Sequence, residues 1–257
     1  MSSPAPNSTV FLADVHLDGF DAATNAALER DAAVLVDHCA EQGIGLVFLG
    51  DLFDAWMEYP GRTPDSGRRF RDAVSLYARR HGPVPGVSGN HDYWTLGLLA
   101  EEGFELGSEH IRIDIGGRRV LLLHGDGLAD PAFGFPRPFY HRVLRHQAFV
   151  ALYRFLLPFE RALGLMKWFS RWQRNRHPEP DDTETLDQWA VSALKRGLAD
   201  VIVAGHHHEV RHVKIDGGEY LNTGAFHRTR TLILHTNGQF NAVVWDSQHQ
   251  RFIAASE

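Results

Sequence analysis

Short unbroken apolar runs alternate along this chain with longer stretches whose apolar residues recur every three or four positions. The runs are Val10-Phe11-Leu12-Ala13, Gly45 to Leu49, Val120 to Leu123 and Val201 to Ala204, joined by the strand-like Val84 to Ser88. Each is too short for a helix and is followed by glycine or polar residues, as expected of strands buried on both faces. Between the first two runs, Ala22 to Glu41 sets Leu28, Ala32, Leu35 and Val36 at helical spacing, and Gly43 fits its stop. A second helix is predicted around Arg68 to Arg80. Glu209 to Trp245 holds several strand-like stretches, with Asp216-Gly217-Gly218 and Asn237-Gly238 as hairpin turns. Strands alternating with helices predict an α/β architecture, most simply two packed sheets with outer helices.

One segment, about 131–182, breaks this rhythm. Eleven aromatics fall between Phe133 and Trp172. Phe149, Leu152, Tyr153, Leu156 and Leu157 follow helical spacing, as do Leu165, Trp168, Phe169 and Trp172. Lys167, Arg171 and Arg174 lie on another face. These patterns predict amphipathic basic helices. Pro158 and Gly164 separate them, which suggests a helical hairpin inserted as a cap. The expected organisation is a flexible N-terminus at 1–8 and one domain over 9–257 that carries the cap.

A chain of 257 residues, 44% hydrophobic and 23% charged, can bury a sizeable core. Its one cysteine, Cys39, excludes an internal disulfide and reads as a small buried apolar residue. The first eight residues lack the basic and apolar regions of a secretory signal, and no apolar run is long enough to span a membrane. A cytoplasmic location is expected. The net charge is −6, but its distribution is uneven. Between Pro131 and Pro178, nine Lys/Arg face one acid, Glu160, giving that segment +8, whereas the rest carries −14. A basic segment in an acidic chain predicts an anionic partner. The acidic remainder argues against a long nucleic acid in that place.

Five blocks collect the chemistry. They are Asp14-Val15-His16, Gly50-Asp51, Gly89-Asn90-His91-Asp92, His124-Gly125-Asp126 and Gly205-His206-His207-His208, each just past a strand-like run. Such positions suit a site at the carboxyl ends of a sheet. Carboxylate oxygens mixed with imidazole nitrogens favour Mn²⁺, Fe²⁺, Zn²⁺ or Co²⁺ over the all-oxygen preferences of Mg²⁺ and Ca²⁺. Two such ions about 3.5–4 Å apart can activate water and clamp a phosphate during in-line attack. Asp14 and His16, like His206 and His208, are two residues apart, so a bend is needed to aim both inward. His207 is expected to face away.

Together these blocks resemble the calcineurin-like metallophosphoesterases over about residues 9–245, with the insert outside the shared core. The resemblance implies a β-sandwich flanked by helices and two divalent metals, with Mn²⁺ expected. It assigns Asp14, His16, Asp51 and His208 to one metal. Asp51, Asn90, His124 and His206 fall to the other, with Asp51 bridging. It places His91 over the phosphate as an aid to the leaving oxygen, with Asp92 orienting it. Leu52-Phe53-Asp54-Ala55-Trp56, Asp92-Tyr93-Trp94 and the run from His124 to Pro131, leading straight into the insert, further resemble the branch that hydrolyses the diphosphate of UDP-2,3-diacylglucosamine in lipid A biosynthesis. The chain departs from one part of that branch, where an arginine stands at the position of His91.

That resemblance implies an acylated nucleotide-sugar substrate and release of UMP and 2,3-diacylglucosamine 1-phosphate. Aromatic and Leu-rich helices could line an acyl slot, and basic side chains suit both a diphosphate and an anionic membrane. Peripheral binding to the cytoplasmic face of the inner membrane is therefore expected. The candidate substrate contacts are Asn90, His91, Asp130, Arg142, Arg145, Lys167 and Arg171, with a turn or capping role equally open for Asp130. Two alternatives stay open at this point. One is a metallophosphoesterase acting on another nucleotide, phosphodiester or phosphoprotein. The other is a scaffold that recruits a partner through the basic insert.

Overall fold

The computed structural model describes residues 8–176 and 183–255. The chain begins β1 (Ser8–Leu12), α1 (Ala22–Gln42), β2 (Gly45–Phe48), α2 (Arg68–His81), β3 (Val84–Val87), α3 (Leu98–Glu101) and β4 (Phe104–Ser108). It crosses to β5 (His110–Ile115) and β6 (Arg118–Leu123). The cap follows, as α4 (Phe139–Arg145), α5 (Gln147–Leu156) and α6 (Phe159–Arg176). Then come α7 (Thr183–Lys195), β7 (Val201–Ala204), β8 (Val210–Ile215), β9 (Gly218–Thr223), α8 (Phe226–Thr229), β10 (Thr231–Thr236), β11 (Gln239–Asp246) and β12 (Arg251–Ala254).

The strands form two mixed sheets, ordered β12-β11-β10-β1-β2-β3-β4 and β5-β6-β7-β9-β8. Alternation within β1 shows why its run is wholly apolar. Val10 and Leu12 join the core under α1 and α2, whereas Phe11 and Ala13 face the second sheet. In β6, Val120 and Leu122 meet the first sheet while Leu121 and Leu123 pack toward α7. Burying each such side chain stabilises the fold by about 1.5–3 kcal/mol, so neither face tolerates a polar residue. Asp21 caps α1 by accepting from the amides of Ala23 and Thr24, both at 3.0 Å. Gly43 ends it at φ 65°, a conformation open to glycine at little cost. The expected hairpin turns join β8 to β9 and β10 to β11, with Asn237 and Gly238 both at positive φ. Cys39 is fully buried.

In the cap, Phe149, Val150, Tyr153 and Leu157 pack with Phe159 and Ala162 onto Met57, Tyr59 and Trp94. Gly164 does not divide the helices, because α6 runs through it without a break. One glycine costs a helix about 1 kcal/mol, which an 18-residue helix absorbs. Pro158 alone marks the boundary. Residues 177–182 of the expected cap, and 1–7 of the expected N-terminal segment, lie outside the described residues. Ser8, counted with that segment, already pairs with Thr236 in the sheet. Among the described residues no helix is long and apolar enough to cross a membrane.

Candidate metal centre

β1, β2 and β3 run parallel in one sheet and β6 and β7 run parallel in the other, so all five polar blocks emerge at one edge of the sandwich. The bend expected after β1 is a pair of left-handed residues, Asp14 at φ 53° and His16 at φ 49°. Asp51, His206 and His208 are also left-handed, at 53°, 74° and 60°. Non-glycine residues rarely adopt this region, and clustered strain of this kind belongs to functional sites. The flanking glycines let the loops close. A Cβ on Gly89 would lie 2.0 Å from Asp51 Oδ1, and one on Gly50 would lie 2.4 Å from the Gly89 nitrogen.

The potential ligand atoms converge. His16 Nε2 lies 3.2 Å from His208 Nε2, and His124 Nε2 lies 3.2 Å from His206 Nδ1 and 3.1 Å from Asn90 Oδ1. Asp51 Oδ2 sits between the two groups, 3.7 Å from His16 Nε2 and 3.4 Å from His124 Nε2. Asp14 Oδ1 is buried with no hydrogen-bond partner, 3.4 Å from His208 Nε2. Metal–ligand bonds of about 2.0–2.2 Å leave neighbouring ligand atoms roughly 3–3.5 Å apart. The spacing, the orphaned carboxylate oxygen and the mixed N/O set therefore fit two divalent cations with Asp51 between them.

Electrostatics agree. Burial would lower the His124 imidazole, but Asp51, Asp14 and Asp126 outweigh it and push it up to about 10. Burial and the nearby His124 hold His206 down at about 3. Burial takes His16 well below its usual range. Burial opposes ionisation of Asp14 and Asp51, yet the surrounding imidazoles hold both carboxyls below the usual carboxylate range. Carboxylates held ionised beside the lowered imidazoles of His16 and His206 make a pocket that attracts positive charge.

The remaining residues take other places. His91 donates Nδ1–H to the Asp54 carbonyl at 2.7 Å and turns Nε2 to within 4.0 Å of Asp51 Oδ2. Asp92, expected to orient His91, instead accepts from the amides of Leu52 and Gly89 at 2.8 and 2.7 Å. It thereby ties the Asp51 loop to the Asn90 loop, and Asp54 holds the imidazole. Burial and the nearby Asp51 push the Asp92 carboxyl up to about 6. His207 is buried away from the centre, 3.8 Å from Asp187. Asn222, which sequence reasoning missed, fixes the His206 loop by donating to the Gly205 carbonyl at 2.6 Å. His227 was missed as well. Its ring lies 5.2 Å from that of His16 and 4.9 Å from that of His208. Burial and these two neighbours hold it at about 3. Its signal was present, since Gly224-Ala225-Phe226-His227 follows a strand end as the other blocks do.

The expected substrate contacts divide. Arg145 reaches the centre, donating to the Gly89 carbonyl and to Asp126, both at 2.8 Å, with its guanidinium over the Tyr93 ring. Asp126 is held ionised below the usual range despite burial, by Arg145, His141, His124 and Arg137. Asp130 caps the 3-10 turn Pro131–Phe133 by accepting from Ala132. Arg142 donates Nε–H to the Arg137 carbonyl. Lys167 pairs with Asp18, which also accepts from Ser66. Arg171 is exposed on α6.

A family model described as calcineurin-like phosphoesterase matches residues 8–210. The UDP-2,3-diacylglucosamine hydrolase of Serratia proteamaculans is 28% identical over 247 residues, 93% of this chain and 96% of that one. The protein of the same name from Porphyromonas gingivalis is 29% identical over 117 residues, 45% of each chain. Among solved structures, the Escherichia coli phosphoesterase Yfce aligns with a TM-score of 0.48 at 15% identity, covering 96% of this chain and 97% of that one.

Proposed function

This chain belongs to the calcineurin-like phosphoesterase family, and from that premise we propose that it hydrolyses the diphosphate of UDP-2,3-diacylglucosamine to UMP and 2,3-diacylglucosamine 1-phosphate in lipid A biosynthesis. The observation that carries the substrate class is the outer surface of the cap. Phe155 is 86% exposed, Phe139 79%, Leu156 62% and Trp168 59%, on helices that rise beside the polar centre. Apolar side chains gathered in this way mark a site for lipid or a partner. Two acyl chains and a membrane surface match an apolar face that shares α6 with the exposed Arg171. Relatives of the same name across nearly the full chain support the same reading.

In this proposal Asp14, His16, Asp51 and His208 hold one divalent cation, and Asp51, Asn90, His124 and His206 hold a second, with Mn²⁺ as the preferred ion. Bound there, two such cations would activate water and stabilise charge on the phosphoryl oxygens. The chain's own residues do the rest. Asp92 keeps the Asp51 and Asn90 loops in register. Asp126 holds Arg145 beside Gly89, where its guanidinium meets the diphosphate. The attacking water forms a P–O bond to the uridine-side phosphorus and gives up a proton to solvent, and the P–O–P link breaks toward the sugar phosphate. With Nδ1–H committed to Asp54, His91 delivers a proton to that leaving oxygen from Nε2, as the imidazolium. The cap seats the acyl chains and holds the protein on the cytoplasmic face of the inner membrane.

The test incubates purified, Mn²⁺-loaded protein with UDP-2,3-diacylglucosamine and, in parallel, its deacylated analogue, and assays UMP. UMP from the acylated substrate alone, abolished by a chelator, is the expected result. Cleavage of a generic phosphodiester with no UMP from either substrate would overturn the substrate and keep the metal centre.

A further inference from the structure

We propose that His227 is a further metal ligand of this centre, completing the site formed by Asp14, His16 and His208. The inference rests on the two-metal reading above and extends the set of residues that hold the metals.

The tautomer is fixed by geometry. His227 Nδ1 lies 3.0 Å from the Asp14 carbonyl oxygen, which can only accept, so Nδ1 carries a proton and, in the neutral ring, Nε2 holds the lone pair. A ring N–H spent on a main-chain carbonyl, with the other nitrogen bare, is the usual state of a metal-bound histidine. The expected ligand His124 is held the same way, with Nδ1 on the Leu49 carbonyl at 2.8 Å. One nitrogen of each of His16, His208 and His227 lies within 4.8 Å of the others. The ring is also pinned. Its own backbone amide donates to the Asp14 carbonyl at 3.1 Å, Phe20 stacks on it at 5.2 Å, and the preceding Phe226 is fully buried. A nitrogen donor anchored to the main chain of another ligand is placed to bind the same ion rather than to pack.

The experiment strips the full-length protein of metal and titrates it with Co²⁺, following calorimetry and the visible spectrum, for the wild type, His227→Ala and His227→Asn. Asparagine can keep a donor on the Asp14 carbonyl but cannot reach the position of Nε2. The expected result is two metals in the wild type. In both variants one site should be at least tenfold weaker with an altered Co²⁺ spectrum, and circular dichroism should be unchanged. Wild-type behaviour of His227→Asn, with only His227→Ala impaired, would reduce His227 to a tether and overturn the proposal. Wild-type affinity and spectrum in both variants would also overturn it. A wild-type protein that binds no metal would instead remove the two-metal reading itself.

Discussion

His91 is anchored as His124 is, through Nδ1–H on a main-chain carbonyl, but it stands farther from Asp51. The Asp54 carbonyl clamps its Nδ1, and its Nε2 lies farther from Asp51 than the corresponding His16 and His124 nitrogens do. His91→Ala should therefore lower kcat by about 10²–10⁴-fold, the range for a lost general acid, while metal content stays at the wild-type value. Elemental analysis beside kinetics checks this, and loss of metal would recast His91 as a ligand. At this scale the sequence was legible where chemistry restricts residue type, because few side chains can ligate a cation. It misled at Asp92, whose place beside His91 in sequence suggested a partnership. The turn after β3 sends the Asp92 carboxylate to the amides of Leu52 and Gly89 instead. The actual anchors of the imidazoles, the carbonyls of Asp54, Leu49 and Asp14, are main-chain groups that every residue carries.

For α5 the row Phe149, Leu152, Tyr153, Leu156, Leu157 reads as one apolar stripe, yet the structure splits it. Phe149, Tyr153 and Leu157 pack on Trp94, Tyr59 and Met57, whereas Leu152 and Leu156 stand in solvent beside Phe155. A stripe wider than the surface beneath it leaves an edge uncovered, and periodicity cannot say which edge. Replacing Phe155 and Leu156 together by serine should weaken sedimentation with anionic vesicles by at least about tenfold, since each buried side chain of this type contributes about 1.5–3 kcal/mol. Hydrolysis of a water-soluble phosphodiester should be unchanged. Vesicle binding equal to wild type would assign this edge to a partner other than lipid. The basic face divides in the same way. Lys167 is spent on Asp18 and latches the cap to the domain, which leaves Arg171 as the exposed cation of the pair.

Across the whole molecule, the centre draws Asp14, His16, Asp51 and Asn90 from the edge of the first sheet, and His124, His206 and His208 from the second. An ion that binds only this folded arrangement should stabilise the sandwich as a unit. Mn²⁺ at 100 times its Kd should add about 2.7 kcal/mol, or about 5–10 °C in Tm for a chain of this size, read by calorimetry with and without chelator. The increment should grow with pH. In metal-free protein the folded His124 holds its proton up to about 10, above the unfolded 6.5. That proton's contribution to stability is fully present below about 6.5 and is lost as pH rises through about 10. A metal must displace it, so the metal-induced rise in Tm should be larger at pH 8.5 than at pH 6.5. A rise independent of pH would show that no proton leaves His124 when the ion binds.

Through its pattern alone, the sequence determined two sheets and outer helices, because burial on both faces demands the apolar runs that mark the central strands. It also pointed to the kind of site, since five blocks of candidate ligands follow five central strands. Only the tertiary structure decided which loops meet, that Asp92 braces two of them, that His227 arrives from a sixth strand end, and which edge of each cap helix faces solvent. Those outcomes depend on left-handed backbone turns and on contacts between distant segments. Neither leaves a period in the chain, because both are set by the space that the two packed sheets leave between them.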